Sequence, residues 1–321
     1  MIVMKRPLAA LPLLGLLALT GCGSGSSANA SGASGSDDAV AVTAAFYPLA
    51  YAVERVGGDR VSVANLTKPG AEPHDVELTP KDVAGLAKAD LVVVEKGFQP
   101  AVDEAVERVD GEKALDVSTA VDLSIEASED GHDHGGEEHA EEPSPTGGAI
   151  DPHFWLDPTR YAKAAGAIAD RLSEVDPDGA TAYKENADAF VAELTTLDEE
   201  FRTGLASCAN RDLVTGHVAF AYLADRYDFH QSGIAGLSPD AEPNAAAMKE
   251  IVEHVREHKV TTIYAETLVG RDLADTIAKE TGATVAVLDP IEGLSDASAG
   301  SNYLEVMRSN LATLKKGQGC R

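Results

Sequence analysis

The chain is predicted to be an α/β protein of two similar lobes, each a largely parallel sheet flanked by helices, joined by one long rigid spine helix with a cleft between the lobes. Three observations predict this. Short β-branched runs at 40–43, 61–66, 91–94, 213–215, 261–264 and 284–288 alternate with amphipathic helical stretches, and parallel sheets are built from such alternation. A segment also repeats in order. Ala71-Glu72-Pro73-His74 leads through a helical stretch to a strand ending in Glu95, and Ala241-Glu242-Pro243-Asn244 leads through another to a strand ending in Glu266. Between the two copies, apolar residues fall at helical spacing from 178 to about 206, and neither Gly nor Pro interrupts 180–203.

Taken from the start, Lys5 and Arg6 precede an apolar run at 8–19 that Pro12 and Gly15 interrupt. Residues 1–21 therefore read as a signal peptide, being too short for a membrane span of about 20 apolar residues. Leu19-Thr20-Gly21-Cys22 resembles a bacterial lipobox, which implies cleavage before Cys22 and its lipidation. Residues 22–37 are rich in Gly, Ser and Ala, and such a segment serves as a flexible tether. The first lobe is assigned to 38–177. Within it, 126–148 carries His132, His134 and His139 among acids and prolines with almost no apolar residues, and is expected to be a surface loop. The spine at 178–206, a helix of about 25 residues, would extend some 38 Å. Its apolar face holds Tyr183, Ala187, Phe190, Leu194, Leu197 and Phe201. The second lobe is assigned to 207–321.

Composition narrows the function. A formal net charge of -27 argues against nucleic acid, whose phosphates call for clustered Lys and Arg, and favours cations. With Cys22 assigned to lipid, Cys208 and Cys320 remain as an even pair in an oxidising compartment and are expected to form a disulfide. Each stands alone, without the close second cysteine of a zinc–thiolate site.

In parallel α/β sheets, ligands bind beyond the carboxyl ends of the strands. Four ligand-type side chains occupy those loops: His74, His153 in Asp151-Pro152-His153-Phe154-Trp155-Leu156-Asp157, His217 at the end of Leu213-Val214-Thr215-Gly216-His217, and Asp289 before Pro290. Taken singly, each is more ordinarily a hydrogen-bonded histidine or a turn-starting aspartate. Together they place two candidates on each lobe, so they can converge only across the cleft. Three imidazoles and one carboxylate suit four-coordinate Zn2+ better than Mn2+, which prefers oxygen donors. Such a site should weaken as pH falls below about 6.5 and the imidazoles gain protons.

These residues carry a resemblance. Glu72-Pro73-His74 with Glu77-Leu78-Thr79-Pro80, the 151–157 segment, Val214-Thr215-Gly216-His217 and Leu288-Asp289-Pro290 are similar to motifs of the metal-receptor class of ABC-transporter solute-binding proteins, specifically its zinc-uptake branch. The resemblance runs from Phe46-Tyr47-Pro48-Leu49 to Cys320. It implies two α/β lobes on a rigid helix, with His74, His153, His217 and Asp289 as the metal ligands. It further implies a monomeric extracytoplasmic receptor, anchored by lipid to the outer face of the cell membrane, whose partner is a membrane permease with its cytoplasmic ATPase. Manganese-type receptors usually carry glutamate at the third position, where this chain has His217. The acidic, histidine-rich loop also looks like the zinc branch.

Other candidates are weighed against plainer readings. Glu266, ending its strand, is a partner for a histidine, an extra ligand, or a structural ion pair. His254 and His258 stand four apart on a helix among charged residues, where a solvated face is the plainer reading. His230 reads as structural, and the loop histidines as either an auxiliary metal site or a solvated linker. Two other function classes are set beside the receptor. A zinc hydrolase needs an open coordination position and a general base, and neither H-E-x-x-H nor G-x-S-x-G occurs. A storage or adhesin lipoprotein would depend on the loop.

Overall fold

In the computed structural model, residues 39–108, 111–126 and 149–321 are described. Their strands form two sheets of four, both wholly parallel. The first contains β1 (Val40–Ala44), β2 (Val61–Asn65), β3 (Leu91–Val94) and β4 (Ala114–Asp116) in the order β2-β1-β3-β4. The second contains β5 (Asp212–Thr215), β6 (His230–Gly233), β7 (Thr262–Ala265) and β8 (Thr284–Val287) in the order β6-β5-β7-β8. The repeated segment in the sequence is thus a repeated topology. In each sheet the chain steps first to one side of the opening strand and then to the other, so a crevice opens past the carboxyl ends of β1 and β3, and of β5 and β7.

The central strands are apolar because helices cover both faces; Leu91 to Val94 are all buried. β4 escaped the sequence pattern, and the strand expected at His230 is β6. β4 has three residues, too few to show a period, and β6 (His230-Gln231-Ser232-Gly233) has no apolar side chain.

The first half contributes helices α1 (Tyr47–Gly57), α2 (Pro80–Lys88), α3 (Pro100–Val106), α4 (Ser118–Val121) and α5 (Pro158–Val175). Local chemistry sets their starts. Thr79 and Asp82 make a reciprocal capping box on α2, with Pro80 in its first turn. The Asp157 carboxylate caps α5 by accepting from the Thr159 N–H at 2.8 Å.

Helix α6 (Ala180–Leu205) has 26 residues, a length of about 39 Å. Its buried face is Tyr183, Ala187, Phe190, Leu194, Leu197, Phe201 and Leu205, the stripe the sequence predicts. It packs along α1 and α5 on one side. On the other it meets α7 (Ala221–Tyr227) and, beyond α8 (Ala245–Glu257) and α9 (Asp272–Thr281), α10 (Tyr303–Gly317). Paired charges fix it to both halves: Arg55 of α1 to Glu193, Arg308 of α10 to Glu200, and Arg226 of α7 bidentate to the buried Asp198 at 2.9 and 2.8 Å. Just beyond α6, Cys208 is disulfide-bonded to Cys320, 112 residues later. The lipobox at Cys22 and the loop histidines His132, His134 and His139 lie outside the described residues.

Candidate metal centre

His74 lies in the loop between β2 and α2. Its backbone N–H donates to Glu72 at 3.0 Å, and its ring stands edge-on to Phe98 with centroids 4.6 Å apart. Gln99 steadies that loop by donating to the Pro73 carbonyl at 3.0 Å. His153 enters just before α5. The Asp151 carboxylate accepts both its backbone N–H (2.7 Å) and its ring Nδ1–H (2.8 Å), which turns Nε2 toward the cleft.

His217 follows β5 and Glu266 follows β7, the strand beside it. Glu266 wraps His217 with both carboxylate oxygens, Oε1 on the backbone N–H and Oε2 on Nδ1, each at 2.7 Å. This close embrace requires Gly216, because a Cβ there would collide with the Glu266 carboxylate. Metal-bound histidines are held by other proteins in the same way, with the second ring nitrogen donating to a carboxylate that fixes tautomer and orientation.

The three Nε2 atoms surround Oε1 of Glu292, at 3.3 Å from His74, 3.0 Å from His153 and 3.1 Å from His217. The Nε2 atoms of His153 and His217 are 3.4 Å apart. Four of the six edges of a small tetrahedron are matched, since donors at zinc bond lengths of 2.0–2.1 Å from one centre lie about 3.3 Å from each other, and all four donor atoms lie within 4.8 Å of one another. His153, His217 and Glu292 are buried and His74 is partly so. Two donors come from each half of the fold.

The charges within the site hold one another in place. Burial by itself would raise the Glu292 carboxyl, yet the surrounding histidines, His217 foremost, hold it well below the usual carboxylate range. For His217, burial opposes protonation, but Glu266 and Glu292 overcome it and carry the imidazole well above its ordinary value. His153 is raised in the same way, against burial, by Asp151 and Glu292. A divalent cation would replace the proton that this arrangement favours.

Asp289, expected as the fourth ligand, does not belong to the group; Glu292 stands in its place. Asp289 starts a turn. Its Oδ1 accepts the Ile291 N–H at 2.8 Å, and Asn310 clasps its backbone N–H and carbonyl at 3.0 and 2.7 Å. Ile291 then takes φ 58°, a left-handed conformation that a β-branched residue adopts only under tight constraint. Trp155 pins the turn from the other half of the fold by donating to the Pro290 carbonyl at 2.8 Å. The outcome is that Glu292, three residues on, reaches the histidines. The signal available in the sequence was a second carboxylate in the same loop, followed by Gly293.

The remaining candidates separate cleanly. Glu266 touches His217 and is not in the donor group. His254 and His258 gather with Asp212, apart from this centre. His230 opens β6 and is exposed. Glu95, the counterpart of Glu266 in the first sheet, is buried with neither carboxylate oxygen hydrogen-bonded, and burial with Asp151 nearby raises its carboxyl well above the usual range.

Known proteins share this framework. The family described as ZnuA, zinc-uptake complex component A, periplasmic, matches residues 42–317. The chain is 35% identical over 304 residues to the high-affinity zinc uptake system protein ZnuA of Bacillus subtilis, covering 93% of each. It is 37% identical over 287 residues to the zinc-binding lipoprotein AdcA of Streptococcus pneumoniae, covering 87% of this chain and 56% of AdcA, so it spans little more than half the length of that relative. The solved structure of the Zn(II)-bound ZnuA-like domain of Streptococcus pneumoniae AdcA matches with a TM-score of 0.71 at 34% identity, covering 87% of this chain and 99% of that one.

Proposed function

The chain belongs to the ZnuA family of zinc-uptake complex components, and from that premise we propose that it is an extracytoplasmic receptor that captures one Zn2+ ion and hands it to an ABC permease. The observation that carries this reading is the tetrahedral spacing of His74 Nε2, His153 Nε2, His217 Nε2 and Glu292 Oε1. An N-rich donor set of that size suits zinc over manganese. Four protein donors fill a tetrahedral shell and leave no position for an activated water, which favours carriage over hydrolysis.

Because each half of the fold supplies two donors, the ion favours the arrangement that brings the halves together; its differential affinity comes from gripping both. Asp151 and Glu266 fix the rings of His153 and His217 beforehand, so little ordering remains to be done on capture. Release then requires displacement of one donor loop, and the permease is the partner placed to do it. The same reading gives Cys22 as the lipid anchor at the outer face of the cell membrane, a monomeric receptor, and a cytoplasmic ATPase supplied by other chains.

Calorimetric titration of the metal-free mature protein with zinc and then manganese tests the proposal. One tight zinc site, lost in His74→Ala, His153→Ala and His217→Ala alike, is the expected result. A tight site retained in all three variants would move the metal elsewhere and overturn it.

A further inference from the structure

At the far end of the second sheet, Asp212, His254 and His258 bring one carboxylate oxygen and two imidazole nitrogens within 4.8 Å of one another. Asp212 opens β5 and His217 follows the same strand, five residues later, so the cluster lies about 16 Å along the strand from the cleft. Helix α8 precedes β7, the neighbour of β5. Its last turn, carrying His254 and followed by His258 at the C-cap, therefore falls beside the start of β5.

The geometry suits a cation. Oδ1 of Asp212 is 3.1 Å from Nδ1 of His258 and 3.9 Å from Nε2 of His254. The two rings, four residues apart on the helix, stack with centroids 4.2 Å apart and an interplanar angle of 19°, so a shared ion requires one ring to turn about its side-chain bonds until both in-plane lone pairs meet it. Ser232 Oγ lies 3.5 Å from His254 Nε2. The backbone of Asp212 is fixed, with its N–H on Asn210 and its carbonyl accepting from Gln318.

The nearby guanidinium groups are committed to other acceptors. Arg211 donates to the Tyr227 and Ala206 carbonyls, and Arg256 donates to the Glu280 carbonyl. A helix carboxyl end carries partial negative charge and favours a cation there. On the same helix Glu253 is paired with Lys249 at 3.2 Å, and Glu257 stands one residue before the C-cap.

We infer that Asp212, His254 and His258 form a second, surface metal site for a divalent transition cation. Two imidazoles and one carboxylate form a donor set for zinc, nickel or copper(II), with the remaining positions open to water, and are ill suited to calcium or magnesium, which take oxygen donors. The site is more open than the cleft, since His258 is exposed and His254 and Asp212 are partly so. It therefore fills after the cleft site. Once filled, it ties the last turn of α8 to the start of β5.

The test uses the full mature chain with the cleft site already loaded by one equivalent of zinc. Carbethoxylation of His254 and His258 by diethyl pyrocarbonate is followed by peptide mass as further zinc is added. Metal on the imidazole lone pairs should slow modification of both by at least about tenfold, and equal rates with and without added zinc would overturn the site. Equilibrium dialysis then compares the chain with the His254→Ala/His258→Ala double variant. The variant should bind one ion fewer while keeping the tight site; an unchanged number of bound ions would also overturn it. The protection experiment needs no substitution, so a misfolded variant cannot decide the matter.

Discussion

Exchanging the roles of two carboxylates in one loop gives the sharpest prediction. Glu292 lies within 3.0–3.3 Å of all three imidazoles, whereas Asp289 is occupied with the Ile291 N–H at 2.8 Å. Loss of a carboxylate that only orients a metal ligand costs about 10–100-fold in affinity. In the proposed site Glu292 is a donor itself, so Glu292→Gln should weaken zinc by at least about 100-fold, or about 2.7 kcal/mol. Asp289→Asn keeps a side-chain oxygen that can accept from Ile291 and should change affinity by less than about threefold. Asp289→Ala removes that hydrogen bond, worth about 1 kcal/mol, beside a residue held in a conformation that costs about 1–3 kcal/mol. The turn should relax and carry Glu292 off the histidines, for a loss of about tenfold. Competition with a fluorescent zinc chelator at pH 7.5 reads all three variants. Asp289→Asn failing as badly as Glu292→Gln would place Asp289 among the donors and overturn this assignment.

Further outcomes follow from neighbouring contacts. Gly216→Ala should push Glu266 off His217 and weaken zinc by about 10–100-fold without unfolding the protein, as circular dichroism and chelator competition together would show. In metal-free protein, the stabilising contribution of His217, whose imidazole is raised by Glu266 and Glu292 against burial, is complete below 6.5 and is lost as pH rises through its folded value. Seen from the depressed carboxyl of Glu292, the same interaction is complete above 4.5 and is lost as pH falls through its lowered value. For this pair the metal-free protein should melt highest between those two values, and the zinc-induced rise in Tm should grow above pH 6.5, as scanning calorimetry across pH would show. Glu95, raised by burial, favours folding only while protonated, so its penalty develops as pH rises above 4.5. Glu95→Gln should flatten that part of the stability curve, and an unchanged curve would show that Glu95 is not held neutral. Cys208→Ser with Cys320→Ser should lower stability by about 4–5 kcal/mol in the chain-entropy model, measured by denaturant unfolding.

The legible parts of this protein are those where one physical rule dominates. The spine could be read because residues 180–203, free of Gly and Pro, carry a buried stripe at 183, 187, 190, 194, 197 and 201. The histidines could be read because loops after parallel strands converge, and because histidine is scarce, with nine in the chain. Glu292 was hidden by abundance: among 53 acidic residues, one more glutamate in a loop carries no contrast, whereas aspartate before proline looks like a terminus of the strand and a ligand. Its placement depends on the positive φ of Ile291 and on Trp155 reaching Pro290 across 135 residues of sequence, and no local pattern encodes either. The grip of Glu266 on His217 depends on β5 and β7 being neighbours, which follows from sheet order and not from spacing. The same imidazoles shift the pH expectation. His217 is raised well above its ordinary value, so zinc affinity should begin to fall at a higher pH than the 6.5 of a free histidine.

The most direct measurement is a crystal structure of the zinc-loaded chain with anomalous data collected at the zinc edge. An anomalous peak is expected between the two halves, within about 2.0–2.2 Å of the Nε2 atoms of His74, His153 and His217 and a carboxylate oxygen of Glu292, with Glu266 and Asp289 outside bonding distance. A peak bound by fewer than three of those histidines, or one taking Asp289 in place of Glu292, would contradict the proposed site.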